Sequence, residues 1–202
     1  MYFETAEKAI KELFGQDCRI LRREPAFGGD FNVSSVLSLS DGRRVFMKEN
    51  RKPVSFFEAE EKGLRAIRET GTIRVPEVLA CGGTDRESFL LMEMIEPAPK
   101  IRGYDTVFGE EFAALHLADA SSFVPGGKYG FTEDNYIGAR VQRNRPRGSW
   151  AEFFREERLL PQLRDAAGYF RKEDRAAFDR LMEDLETILP EPEKPALLHG
   201  DL

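Results

Sequence analysis

The sequence predicts an α+β protein in which an antiparallel sheet with one internal helix is followed by a mainly helical region. Apolar and polar residues alternate with a period of two within residues 19–48. A helical period occupies residues 55–71 and returns after Pro97. We therefore predict two lobes, residues 1–96 and residues 97–202.

The first lobe opens with a short amphipathic helix that Gly15 ends. The extended region after it contains Ser40-Asp41-Gly42, which predicts a hairpin turn between two strands. The internal helix is predicted to start at a capping box formed by Ser55 and Glu58 and to end at Gly71.

Two more strands complete the predicted sheet. One starts at Pro76 and is turned by Gly82-Gly83, and the other runs from Ser88 to Met94. Pro97 and Pro99 then indicate a linker.

The second lobe is predicted to be helical on both sides of a long irregular segment. Phe112 lies in its first helix, Ser149 and Glu152 cap a second, and an amphipathic run from Phe178 to Leu189 forms the last. Residues 120–148 show no convincing period, and so long a loop inside a domain is usually functional.

Composition excludes several classes of function. The chain has 202 residues and a net charge of −6, so electrostatics favours neither nucleic acid nor an anionic membrane as a partner. Cys18 and Cys81 are far apart and predict neither a disulfide framework nor a zinc site. No apolar stretch is long enough to span a bilayer and the N-terminus lacks a signal-peptide pattern, so we predict a cytoplasmic protein.

Lys48 is a candidate phosphate-binding residue. It ends a predicted strand and shares a face with Phe46, which would place its stem on apolar surface and its ammonium in a cleft. Glu60 lies within the apolar stripe of the next helix, where a carboxylate needs a partner. We predict that Glu60 pairs with Lys48, with Glu61 as the competing choice.

Two other segments are candidates for nucleotide binding. Gly28 and Gly29, with Asn32 close behind, join the first two strands and could bring backbone amides near phosphate. The segment Glu93-Met94-Ile95 could offer backbone C=O and N–H groups to the edge of an adenine ring. The alternative for Gly28-Gly29 is an ordinary turn without a ligand, and the alternative for Glu93-Met94-Ile95 is an ordinary connector between the lobes.

The chain ends with Leu198-His199-Gly200-Asp201-Leu202. An apolar segment leading into His-Gly-Asp is how a phosphoryl-transfer loop begins, and Asp201 would accept the proton of a substrate hydroxyl. Glycine between the histidine and the aspartate favours a small-molecule acceptor.

Together these residues resemble the fructosamine kinase (ketosamine kinase) family, within the larger group of aminoglycoside phosphotransferases and choline kinases. The resemblance covers essentially the whole chain. It rests on the following residues: Gly28-Gly29 with Asn32, Val45 to Lys48, Phe57 with Glu60 and Leu64, Val75-Pro76, Leu115-His116, Tyr129-Gly130-Phe131, Asp134 to Gly138, Gln142 with Asn144, Trp150 with Phe153-Phe154, and Leu198 to Leu202.

The resemblance implies a protein kinase-like two-lobe fold that binds ATP and Mg²⁺ and transfers the γ-phosphate to a sugar hydroxyl of a ketoamine. The substrates would be fructosamines or ribulosamines, as small molecules or on glycated lysine, and phosphorylation would begin their repair. Lys48 would bind phosphate, Glu60 would orient Lys48, Met94 would lie at the adenine hinge and Asp201 would be the catalytic base. The loop from Gly130 to Asn144 would help to build the sugar side of the cleft.

Two departures from the family pattern stand out. Asp30 occupies a position where some relatives carry a redox-sensitive cysteine. The family's magnesium ligands are expected beyond Leu202, so we expect a truncated chain that is not catalytically complete. Another aminoglycoside-type, choline-type or homoserine-type phosphotransferase and a non-catalytic nucleotide-binding fragment remain as alternatives, and the sequence makes no prediction of oligomeric state.

Overall fold

A computed structural model describes residues 3–26, 32–84, 86–124 and 126–200 of the chain. Two compact units are present, Met1–Leu115 and His116–Leu202. The predicted boundary before Pro97 lies inside the first of these units and stays a prediction.

The first unit is an antiparallel sheet with helices, as the change of period from two to 3.6 predicted. Its elements in chain order are α1 (Ala6–Phe14), β1 (Ile20–Ala26), β2 (Val33–Leu39), β3 (Arg44–Asn50), α2 (Ser55–Glu69), β4 (Val78–Gly83), β5 (Ser88–Glu93) and most of α3 (Tyr104–Leu117), whose last two residues belong to the second unit. The five strands pair in the order β1-β2-β3-β5-β4, and every pair is antiparallel. The predicted α+β class is confirmed.

Two apolar clusters lie on opposite faces of this sheet, because side chains alternate along each strand. Ile10 of α1 belongs to the cluster that contains Leu37, Met47 and Leu91. Phe57 of α2 belongs to the other cluster, with Leu90 and Met92 among its members. The sheet is therefore covered by α1 on one face and by α2 on the other.

The predicted start of α2 is wrong by one residue. Ser55 is the first helical residue and Val54 is the N-cap, without a side-chain cap. Backbone bonds close the first turn instead, because the N–H groups of Phe57 and Glu58 donate to the carbonyl of Val54 at 2.9 and 3.0 Å. Pro53, just before, restricts the approach of the chain to the helix.

The predicted turn at Gly82-Gly83 is also wrong, since both glycines lie in β4, which starts at Val78 and not at Pro76. The backbone of Phe3 lies so close that a Cβ on Gly82 would stand 2.1 Å from its carbonyl oxygen. The N–H of Gly83 donates to that same oxygen at 2.8 Å. These glycines allow the N-terminal segment to join the sheet edge.

The second unit contains several short elements and one long helix, joined by irregular segments. They are a 3₁₀ turn at Ser121–Phe123, β6 (Asn135–Ile137), β7 (Arg140–Gln142), α4 (Trp150–Phe154), a π-helical turn at Arg155–Leu159, α5 (Leu160–Asp165), a 3₁₀ turn at Ala167–Tyr169 and α6 (Lys172–Ile188). The predicted cap of α4 is confirmed, because the hydroxyl of Ser149 accepts from the N–H of Glu152. In the irregular segment that precedes α4, β6 and β7 form a two-stranded antiparallel hairpin.

No helix within the described residues is long and apolar enough to cross a membrane.

Candidate functional site

Lys48 and Glu60 form an ion pair in the first unit. Lys48 stands on β3 beside Ser34 of β2 and Leu90 of β5. Glu60 lies one helical turn beyond the fully buried Phe57, which anchors α2 against the sheet. The sequence-predicted pair is therefore present.

The two carboxylates that competed for Lys48 have separate partners. Glu61 accepts from Arg65 at 2.8 Å, one turn further along α2. A rotation of 100° per residue separates Glu60 from Glu61, so only Glu60 shares the side of α2 that faces Lys48. Glu60 is the partner of Lys48, as predicted.

The ion pair is partly accessible to solvent. The side chains of Lys48 and Glu60 expose 27% and 26% of their surface. Lys48 is thus held by Glu60 while part of its side chain stays open to solvent. A lysine held in this way can bind a phosphate oxygen without a large loss of side-chain entropy.

Cys81 of β4 and Lys48 of β3 both pair with Leu90 of β5, which lies between these two strands. The three residues therefore lie side by side across the sheet. Burial, and after it the negative charges of Glu61, Glu58 and Glu60, raises the pKa of the Cys81 thiol to about 12. This thiol stays protonated at neutral pH and is not a nucleophile.

Asn32 lies at the end of the sheet near Lys48. Its Oδ1 accepts from the Nδ2 of Asn50 at 2.9 Å, and the Oδ1 of Asn50 accepts from the hydroxyl of Ser88 at 2.8 Å and from the N–H of Lys52 at 3.0 Å. These contacts join the end of β3 to the starts of β2 and β5. The sequence analysis missed Asn50 and Ser88, although Asn50 shares a face with Lys48 two residues away.

Glu93 is the last residue of β5. Its N–H donates to the carbonyl of Glu77 at 2.8 Å, and its carboxylate pairs with Arg74. The backbone N–H of Glu77, followed by the guanidinium of Arg74, lowers the pKa of the Glu93 carboxyl. Glu93 therefore fastens β5 to the segment before β4, and its N–H is not free for a ligand.

The rest of the predicted adenine segment follows β5. Met94 is half-buried and Ile95 is exposed, and neither lies in a strand or a helix. The role of the Glu93 carbonyl and of the backbone groups of Met94 and Ile95 in binding adenine stays a prediction.

Three of the predicted site residues, Gly28, Gly29 and Asp201, lie outside the described residues. The segment that leads towards Asp201 is described as far as Gly200, which has a positive φ of 89°. Such a φ suits glycine and is strained for other residues.

Glu191 anchors this last segment within the second unit. Its carboxylate accepts from Lys128 at 2.7 Å, from the hydroxyl of Tyr129 at 2.9 Å and from the N–H of Trp150 at 2.9 Å. Lys194 donates to the carbonyl of Leu117 at 2.5 Å. Two residues, Glu191 and Lys194, thus hold the chain shortly before His199 through four hydrogen bonds, and no periodic signal in the sequence could have revealed these contacts.

The described residues contain no group of three or more His, Cys, Asp or Glu side chains that could hold a metal ion.

Comparison with known proteins places this geometry in a family context. The chain is 33% identical over 202 residues to a protein of Vibrio cholerae serotype O1 named as a probable ketoamine kinase, with 96% of the chain and 65% of that relative covered. It is 35% identical over 183 residues to the chloroplastic protein-ribulosamine 3-kinase of Oryza sativa subsp. japonica, with 88% of the chain and 52% of the relative covered.

The fold is similar to that of a solved structure. A crystal structure from Haemophilus somnus 129PT, assigned as a fructosamine-3-kinase, matches with a TM-score of 0.80 and 29% sequence identity, and the match covers 97% of this chain and 64% of that one. The chain thus spans about two thirds of the length of the bacterial relatives to which it is compared. The kinase-like fold predicted from the sequence is confirmed, and because the fructosamine kinase family model matches residues 2–202, this chain belongs to the fructosamine kinase family.

Proposed function

We propose that the chain is the nucleotide-binding part and the start of the acceptor-binding part of an ATP-dependent kinase that phosphorylates ketoamines. The observation that carries this proposal is the Lys48–Glu60 pair, which a strand and the following helix bring together in a chain of the fructosamine kinase family. The acceptor would be a fructosamine or a ribulosamine, either as a small molecule or on a glycated lysine.

Lys48 is the group that would bind the phosphates. Its side chain is partly exposed and Glu60 fixes its direction, so its ammonium can neutralise charge on the nucleotide during transfer. Adenine would bind along the carbonyl of Glu93 and the backbone of Met94 and Ile95. The Gly28-Gly29 turn and Asn32 remain proposed contributors to the phosphate side.

Asp201 is the proposed catalytic base. In this reaction the γ-phosphoryl group leaves the β-phosphate oxygen and bonds to the sugar hydroxyl oxygen, while the hydroxyl proton passes to the Asp201 carboxylate and ADP is released. A bound magnesium ion would offset phosphate charge. Phosphorylation of the adduct would then begin the removal of glycation.

The test measures ADP release with four acceptors, a fructosyl-lysine, a ribulosyl-lysine, an aminoglycoside and choline. It is run on the product of the whole reading frame and, in parallel, on the 202-residue chain. We expect turnover by the whole product with a ketoamine only. Turnover with the aminoglycoside or choline and not with a ketoamine, or no turnover with any acceptor, would overturn the proposed substrate class.

ATP binding is measured separately by calorimetry on the 202-residue chain. We expect binding that Lys48→Ala weakens and that Lys62→Ala, a charge removal on the same helix as Glu60, leaves unchanged. Equal affinity of the two variants for ATP would show that Lys48 is not part of the nucleotide site.

A further inference from the structure

The segment before α4 is irregular, yet it is held by a dense set of buried polar contacts. Asn144 is only 2% exposed and lies at their centre. All of its hydrogen-bonding groups have partners. In the side chain, Nδ2 donates to the carbonyl of Glu133 and to Oδ1 of Asn135, both at 3.0 Å, and Oδ1 accepts from Arg158 at 2.7 Å. In the backbone, the N–H donates to Asp134 at 2.9 Å and the carbonyl accepts from the N–H of Phe131 at 3.1 Å. The Asn144 side chain, two residues after β7, therefore joins the start of β6 to Arg158.

A second buried contact is made by Arg147, three residues after Asn144, with Glu157. Glu157 is 4% exposed, and it accepts from Nε and Nη2 of Arg147 at 3.1 and 2.7 Å. Arg147 also donates to Glu152 at 3.2 Å, and its backbone pairs with Tyr129. The end of the irregular segment is thus fastened to the same helical stretch as Asn144.

The two helix residues that make these contacts are adjacent in sequence. Glu157 contacts Arg147, while Arg158 contacts Asn144 and the carbonyl of Arg143, the latter at 2.7 Å. Neighbouring side chains of a regular α-helix point about 100° apart, and here both residues lie in the π-helical turn Arg155–Leu159. Single π-turns are rare and occur frequently at functional sites.

This arrangement is costly if its only role is to stabilise the fold. Buried charged and amide groups often contribute no more stability than well-packed apolar residues of similar size, although a fully satisfied polar network fixes a unique geometry. The geometry that is fixed here is that of the β6–β7 hairpin, which itself presents Ile137 and Val141 as exposed apolar side chains.

The described residues that we propose for the nucleotide, namely Asn32, Lys48, Glu60 and the Glu93–Ile95 segment, all belong to the first unit. A rigid segment of the second unit with exposed apolar residues is then available for the other substrate. On the basis of the function proposed above, we propose that Arg158 and Asn144 are positioning residues that hold residues 134–147 in the conformation that binds the ketoamine acceptor.

The test compares steady-state kinetics of Arg158→Ala, Arg158→Lys and Asn144→Asp in the product of the whole reading frame. Because hydrogen bonds to charged groups are among the stronger ones, we expect Arg158→Ala to raise the KM for fructosyl-lysine by about tenfold or more, with the KM for ATP within about twofold of the wild type. Arg158→Lys can still donate one bond to Asn144 and should recover part of the loss. Asn144→Asp keeps its size and its contact to Arg158 but loses both Nδ2 donors, so its acceptor KM should also rise.

Arg175→Ala is the matched control, because Arg175 likewise donates from a helix to a backbone carbonyl outside that helix, that of Ala167 in a 3₁₀ turn, at 2.8 Å. We expect a small change of Tm and unchanged values of KM. If Arg158→Lys and Asn144→Asp lower Tm without changing the acceptor KM, or if both KM values rise together, the positioning role is wrong. A wild-type enzyme that phosphorylates no ketoamine would instead refute the function on which the role depends.

Discussion

The two units of the chain hold their candidate functional groups in different ways. In the first unit, Lys48 and Glu60 are placed by apolar packing, since α2 docks through Phe57 onto a sheet face that includes Leu90 and Met92. In the second unit, hydrogen bonds accepted by Glu191 and Asn144 place segments that have little regular structure. Apolar packing fixes an element as a rigid body, whereas hydrogen bonds fix individual loop atoms.

The comparison predicts that the two regions respond differently to substitution. A change in the first unit should alter nucleotide use or global stability. A change in the second unit should alter the pH dependence of stability or the use of the acceptor.

Removal of the Lys48 ammonium should produce the largest effect. We expect Lys48→Ala in the product of the whole reading frame to reduce kcat on the order of 10²-fold or more, since the phosphates lose their positioning and their charge stabilisation. The measurement is steady-state ADP release together with a circular dichroism spectrum. Unchanged kcat in a folded variant would show that Lys48 does not serve the reaction.

Deletion of the Phe57 ring should destabilise the first unit. The residue is fully buried, so Phe57→Ala should cost about 3–5 kcal/mol in the free energy of unfolding. Phe56→Ala is the matched control, because the neighbouring ring is only partly buried and should cost less. Urea unfolding measures both, and equal losses would mean that α2 is not anchored through Phe57.

Acid should weaken the second unit through Glu191. The side chain of Lys128, followed by the N–H of Trp150, lowers the pKa of the Glu191 carboxyl below its ordinary value of 4.5. A lowered folded-state pKa contributes stability above that ordinary value, and this stability is lost as the pH falls below 4.5 through the folded-state pKa.

The measurement is Tm at pH values between about 3 and about 7, a range that includes the pH at which a carboxylate titrates. We expect Glu191→Gln to have a lower Tm than the wild type at neutral pH and a smaller decrease of Tm in acid. Glu193→Gln makes the same charge change two residues away and should retain the wild-type acid profile. If Glu191→Gln retains it as well, the carboxylate does not anchor the segment.

The smallest effect is expected at Ser35, whose hydroxyl is buried and has no hydrogen-bond partner among the described residues. Ser35→Ala removes an unsatisfied polar group, so it should be neutral or stabilise the protein by up to about 1 kcal/mol. Ser34, its neighbour, is also buried but does have an interaction, and Ser34→Ala should be destabilising. A clear loss of stability in Ser35→Ala, measured by urea unfolding, would contradict this reading of the site.

The sequence by itself determined the parts of the molecule that depend on local periodicity. The change of period after residue 50 predicted α2, and the position of Glu60 within its apolar stripe predicted the pair with Lys48. These inferences succeed because a buried face requires apolar residues at regular spacing and a carboxylate on that face requires a partner.

Only the tertiary structure decided the contacts between residues that are distant in sequence. Three such contacts follow from how separate segments meet. They are the close approach of Phe3 to Gly82, the hydrogen bond from the Glu93 N–H to the Glu77 carbonyl and the hydrogen bond from Arg158 to Asn144. A single polar residue has no periodic signature, because its partner can come from any part of the chain that folding brings within about 3 Å.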